Sequence, residues 1–343
     1  MNPYALSVIF LGLASGTAIT LSSSHWLMTW MGLEINTLAI IPLMTKTPHP
    51  RAIESATKYF LTQATASALL LFASTINAWM TGQWTILSTL EIPAILLTTA
   101  IAIKLGIAPF HLWLPEVLQG LPIKTGLILS TWQKLAPMAV FIQMSSLTNL
   151  YLTLSLGLIS IVTGGWGGIN QTQTRKILAY SSIAHLGWMT ATIKLCPQLS
   201  ILNFYLYILM TSTLFLTFMS LNTKNMSELA SSWPKSPTLT SMSLLTLLSL
   251  SGLPPLTGFM PKWLITQEMI KHDLNMFALA MLLSTLLSLF FYLRLTYILS
   301  LTLAPNPSFS LFPWTLAKKN IYTPIAISSL LLLPMTPLIL SLF

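Results

Sequence analysis

Four ionisable side chains stand in stretches that are otherwise too apolar to carry a charge. They are Glu34 in WMGLEINTLAI, Lys104 in TTAIAIKLGIAPF, Lys134 in LSTWQKLAPM and Lys262 in GFMPKWL. One carboxylate and three amines are tools of proton transfer. A lysine can release its proton, and its hold on that proton responds to solvation and to a neighbouring carboxylate. A Glu–Lys pair that opens and closes would therefore load and unload the amine. Arginine could not serve, because a guanidinium does not deprotonate in proteins. At mid-depth in a membrane each charge costs at least about 2.5–3.5 kcal/mol, so all four need partners or water. The structural alternative is buried ion pairs or lysines that reach to the membrane surface.

The elements that must hold these residues are legible from composition. The chain has 343 residues, 54% hydrophobic and 7% charged. A soluble domain carries about 25% charged residues, so this chain cannot cover a water-soluble globule. Eleven apolar segments lie near 3–21, 25–44, 56–80, 92–119, 123–145, 149–170, 175–195, 198–221, 238–270, 275–299 and 321–342. At about 1.5 Å of rise per residue, roughly twenty residues cross the hydrocarbon. The expected fold is an all-α membrane protein of eleven spans in a single domain, 1–343. Alternating strands of a β-barrel are not seen.

Segments four and nine are too long for one straight crossing, and both carry helix breakers. Breaks are expected at Gly106 and Pro109 in LGIAPFHLWLP, and at Gly252, Pro254 and Pro255 in SGLPPLTGFMP. The broken segments are five spans apart. Because five is odd, two five-span units would be inverted relative to each other, over 3–145 and 149–299, with 321–342 as a final span. Freed backbone groups at such breaks are tolerated only against protein or water.

Loop charges test the count. Lys46, Arg51, Lys58, Lys124, Arg175, Lys176, Lys224, Lys235, Lys318 and Lys319 all fall on one side, with the N-terminus. The other side has Lys194 and Lys271 with Glu91, Glu268 and Asp273. That asymmetry is what the positive-inside rule requires. The net charge of +9 is thus topological. No basic stripe interleaved with aromatics points to nucleic acid. The one cysteine, Cys196, and five unpaired histidines offer no cluster or metal pattern, so no metal or cofactor is expected on the chain itself. The start, MNPYALSVIFLGLASGTAITL, lacks a basic leader and reads as a retained span inserted where the chain is made. His111 and His185 are either hydrogen-bonded to neighbours or links in a hydrated path. Glu116 and Arg294 read as interfacial, and Trp26, Trp30, Trp79, Trp84 and Trp113 as interfacial anchors. The glycines of GGWGGINQTQTRK permit close helix contact; without GxxxxGK[ST] or a preceding strand they form no phosphate loop.

GLEINTLAIIPL, KYFLTQATASALLLF, AIKLGIAPFHLWLPEVLQG, NQTQTRKILAYSSIAHLGWM and LSGLPPLTGFMPKW closely resemble the chain 2 family of NADH–ubiquinone oxidoreductase. Its members are mitochondrially encoded, antiporter-like membrane subunits of respiratory complex I. The likeness covers essentially the whole chain and is to the vertebrate form, which lacks initial spans of bacterial relatives. The resemblance implies that the family's key glutamate falls on Glu34, its paired lysine on Lys104, its central lysine on Lys134 and the lysine of the second broken helix on Lys262. It implies a place in the mitochondrial inner membrane, with the N-terminus in the matrix and the C-terminus in the intermembrane space. Implied partners are other complex I membrane-arm subunits, above all neighbouring antiporter-like chains, and the bilayer, with cardiolipin a candidate lipid. NADH, FMN, iron–sulfur clusters and ubiquinone would serve the whole complex and not bind this chain. The expected function is proton translocation from matrix to intermembrane space, driven by NADH-to-ubiquinone electron transfer in other subunits. Two rivals use the same sequence: a structural membrane-arm subunit without its own proton path, and a free-standing cation/proton antiporter.

Overall fold

The computed structural model describes residues 3–300, except 47, 234, 235 and 255. The eleventh span, Lys318, Lys319, Lys235 and Pro255 therefore lie outside the described residues. The described residues are helical throughout, with two isolated β-bridges and no strand.

The helices are α1 (Pro3–Ser22), α2 (Trp26–Met44), α3 (Pro50–Thr81), α4 (Glu91–Leu105), α5 (Trp113–Gly120), α6 (Ile123–Ser130), α7 (Trp132–Gln143), α8 (Leu150–Ile169), α9 (Thr174–Thr192), α10 (Pro197–Leu221), α11 (Met226–Ala230), α12 (Pro237–Ser251), α13 (Phe259–Lys271) and α14 (Asn275–Leu299). Six of them, α1, α2, α3, α8, α10 and α14, are each long and apolar enough to cross a membrane. Their outward faces carry large apolar side chains such as Leu11, Phe72 and Leu283, as a lipid-facing surface does.

Local sequence sets the ends. His49 and Pro50 start α3: the His49 Nδ1 accepts from the Arg51 N–H at 3.2 Å, and proline suits the first turn. Segments four and nine are each divided. α4 and α12 are both 15 residues long, and each ends at a glycine in the left-handed region, Gly106 (φ +77°) and Gly252 (φ +86°). Such glycines are the common helix stop, because a Cβ is strained there. The breaks, 106–112 and 252–258, are equally long, and α5 and α13 resume the helix. Pro109, preceded by a cis peptide bond, sits in the first break, and Pro254 in the second.

A third interruption, between α6 and α7, is not announced by glycine or proline. Thr131 turns its hydroxyl back on the Leu127 carbonyl at 2.7 Å, and such back-bonding bends helices. Pro137 in α7 has no N–H to offer the Gln133 carbonyl. Lys134 lies between these two irregularities.

The chain divides into two compact units. The first holds the described residues through Ser160 with Thr190–Pro197; the second holds Ile161–Met189 and the described residues from Gln198 on. Within the first, α2 packs on α1 and α3, α3 on α4 and α5, and α7 on α1, α2 and α4. The α1–α2 contact is close because Gly16 and Gly32 face each other. A Cβ on Gly32 would meet the Thr20 Cγ2 at 2.6 Å and the Gly16 carbonyl at 2.9 Å. Within the second, α14 packs on α11, α12 and α13.

Among the described residues each unit has one β-bridge, between the loop entering its second span and the loop entering its broken one. In the first unit His25 pairs with Thr85, with the His25 ring stacked on Trp84 at 5.9 Å. In the second Gln173 pairs with Asn225.

Candidate functional site

In the first unit, α4 brings Lys104 to its last turn, where the partial negative charge of a helix C-terminus favours a cation. The stop at Gly106 leaves carbonyls to be satisfied. Ala102 accepts from the N–H groups of Gly106 and Ile107 at 3.0 and 2.9 Å. Ile103 accepts from the Trp113 indole Nε1 at 3.1 Å, which ties α5 back to the end of α4. The Lys104 carbonyl itself faces the Gln63 amide of α3 at 3.5 Å.

Lys104 is 5% exposed and Lys134 is 3% exposed. Both line one cavity of about 20 Å³, with Asn36, Tyr59, Gln63, Trp113 and Gln133 among its walls. That volume is room for about one water. Tyr59 and Gln63 are one turn apart on α3 and so share a face. The Gln133 amide donates to the Asn36 carbonyl at 3.0 Å, fixing α7 against α2 beside the cavity.

Glu34 is half-buried on α2 and does not line the cavity, although its helix neighbours Leu33 and Asn36 do. No hydrogen bond joins Glu34 to Lys104. The Lys104 Nζ and the Glu34 Oε2 are both buried without a hydrogen-bond partner.

In the second unit, Lys262 of α13 lies over the C-terminal end of α12. Its Nζ donates to the Ser251 carbonyl at 2.7 Å and the Leu250 carbonyl at 3.3 Å. Lys262 also lines a cavity of about 10 Å³ with His185, Trp188, Ser288 and Tyr292. The Tyr292 hydroxyl is 3.5 Å from the His185 Nε2, and the His185 and Tyr207 rings are 5.8 Å apart.

The geometry thus gathers Glu34, Lys104 and Lys134 in one unit, and His185 with Lys262 in the other. His111 lies in the first break and lines neither cavity. Among the expected anchors, Trp79 is 91% exposed, but Trp26 is fully buried and Trp113 is buried as the clamp on Ile103. These two are therefore core residues, not interfacial ones. Sequence reasoning passed over Asn36, Tyr59, Gln63, Gln133 and Tyr292. The signal was present for Tyr59 and Gln63, two polar groups at helical spacing in an apolar run.

The chain matches two family models. Residues 23–288 match the transmembrane family of the NADH:quinone oxidoreductase and Mrp antiporter. Residues 289–340 match the C-terminus of NADH dehydrogenase subunit 2. It is 58% identical to NADH-ubiquinone oxidoreductase chain 2 of Aquarana catesbeiana, over 99% of each chain. It is 57% identical to the chain of the same name from Xenopus laevis, over 99% of this chain and 100% of that one. Its fold is similar to a chain of respiratory complex I from Thermus thermophilus, with a TM-score of 0.83 and 26% identity, covering 97% of this chain and 80% of that one. It is equally similar in fold to a chain of the Mrp complex from Dietzia, with a TM-score of 0.83 at 15% identity, covering 97% of this chain and 75% of that one.

Proposed function

The chain belongs to the family of NADH-ubiquinone oxidoreductase chain 2, antiporter-like membrane subunits of respiratory complex I, and from that premise we propose how it works. Its part in the enzyme is proton translocation. Electron transfer from NADH through FMN and iron–sulfur clusters to ubiquinone belongs to other subunits. Quinone chemistry there shifts the Glu34–Lys104 interaction. Lys104 then exchanges protons with Lys134, and the relay continues to Lys262 and His185 in the second unit, from matrix to intermembrane space.

One observation carries this reading: two buried lysines from different helices, Lys104 and Lys134, line the same cavity. Lysines whose only role was structural would each be matched to a direct anionic partner or would reach the surface. The Lys104 Nζ does neither.

The proposal extends to topology. The chain crosses the mitochondrial inner membrane eleven times, with its N-terminus in the matrix and its C-terminus in the intermembrane space. Two five-helix units, inverted relative to each other, make up the first ten spans. The matched half-helices, the two left-handed glycines and the corresponding β-bridges support this. Neighbouring antiporter-like subunits and lipid, including cardiolipin, cover the apolar faces.

A mild-detergent native gel of the source membrane, stained for NADH oxidation and probed for this chain by mass spectrometry, tests the assignment. The chain is expected in a very large NADH-oxidising band. Finding it alone, or in a small assembly without that activity, would favour a free-standing antiporter.

A further inference from the structure

Among the described residues, no carboxylate lines the cavity of Lys262. The titratable groups that share it are His185 of α9 and Tyr292 of α14. α12, with the sequence PTLTSMSLLTLLSLS, brings only carbonyls and hydroxyls to the same amine. The ammonium is held by the last carbonyls of a helix that stops at mid-segment, and those carbonyls have no intrahelical N–H to meet. A tethered ammonium thus occupies the end of the broken helix.

What permits this is the residue that follows. A Cβ built on Gly252 would lie 2.8 Å from the Lys262 Nζ, 2.9 Å from its Cδ and 3.2 Å from its Cε. At those separations a side chain and the lysine tip cannot both keep their places, and the flexible lysine is the one that would move. At the first break the atoms nearest the corresponding Cβ, on Gly106, are Leu114 and Trp113 carbons, at 3.0 and 3.3 Å. The two glycines therefore share a backbone conformation, but only Gly252 also makes room for an amine. We propose that Gly252 is a positioning residue for Lys262, its missing side chain letting the ammonium sit between the α12 carbonyls and the His185–Tyr292 cavity.

The proposal rests on Lys262 being a relay station, and the test separates the two. Gly252→Ala, Lys262→Ala and the double variant are compared in the assembled complex for NADH-driven proton pumping across a range of pH. Gly252→Ala is expected to lower pumping by about threefold or more, through lost hydrogen bonds to the ammonium, and to alter its pH profile. Gly252→Ala should cost less pumping in the Lys262→Ala background than in wild type, because the strain of a Cβ at the left-handed Gly252 remains in both while its encounter with the lysine is gone in one. Losses that multiply, or a Gly252→Ala complex that pumps like wild type at every pH, would overturn the role of Gly252. Wild-type pumping by Lys262→Ala would instead overturn the relay reading beneath it. If Gly252→Ala fails to assemble, Lys262→Ala in the same chain should restore assembly by vacating the space. Failure of that double variant too would assign the effect to backbone strain and refute the proposal.

Discussion

Lys104, at the C-terminal end of α4, and Lys134, between the Thr131 bend and Pro137 of α7, line the same buried cavity. The exposed Lys58 makes the contrast plain. It holds Glu54 and Glu116 at 2.7 Å each, linking α3 to α5 as a conventional surface ion pair. The Lys104 Nζ, far more buried, has no such contact.

Lys104→Arg should not preserve function. A guanidinium keeps its charge and cannot hand on a proton. NADH-driven acidification by the assembled complex should fall by about a hundredfold or more, the scale of a lost acid–base group. Pumping near the wild-type rate would remove Lys104 from the relay.

Lys58→Met should change little. Both of its ion pairs are solvent-exposed, and such pairs contribute weakly. The variant complex should assemble and pump with wild-type stoichiometry, read from the same acidification assay.

Trp113→Phe removes the indole N–H that meets the Ile103 carbonyl across the first break. A lost hydrogen bond of this kind costs about 1 kcal/mol. The purified complex should assemble yet inactivate at a lower temperature in a thermal melt.

Gly32→Val should prevent assembly. Any Cβ there meets Thr20 and the Gly16 backbone, so α1 must move off α2, the helix that carries Glu34. Overpacking against backbone has no cheap relaxation. The full-size NADH-oxidising band should be missing from a native gel of the variant membrane.

Much of this fold was legible because apolar runs of membrane length, and the Gly–Pro clusters that interrupt them, are strong signals. The ten apolar segments within the described residues all coincide with helices or with pairs of half-helices. α3 begins earlier than its apolar run, at Pro50, because its first turn is polar and is started by capping. The bend at Thr131 was not legible, since a hydroxyl folded back on its own helix leaves no compositional mark. The four charges in apolar segments stood out because charge in hydrocarbon is costly. Asn36 and Gln133 did not, because their role depends on α2 and α7 meeting. Trp26 and Trp113 misled, since tryptophan near a span end suits an interface as well as a core.

The central claim is that protons pass through Lys134. Lys134→Met keeps the length of the side chain and removes its proton. Protons pumped per NADH oxidised should be measured in the fully assembled variant complex. The relay predicts fewer protons per NADH, or pumping that fails together with electron transfer. An assembled complex with unchanged stoichiometry and rate would contradict it and leave this chain a structural part of the membrane arm.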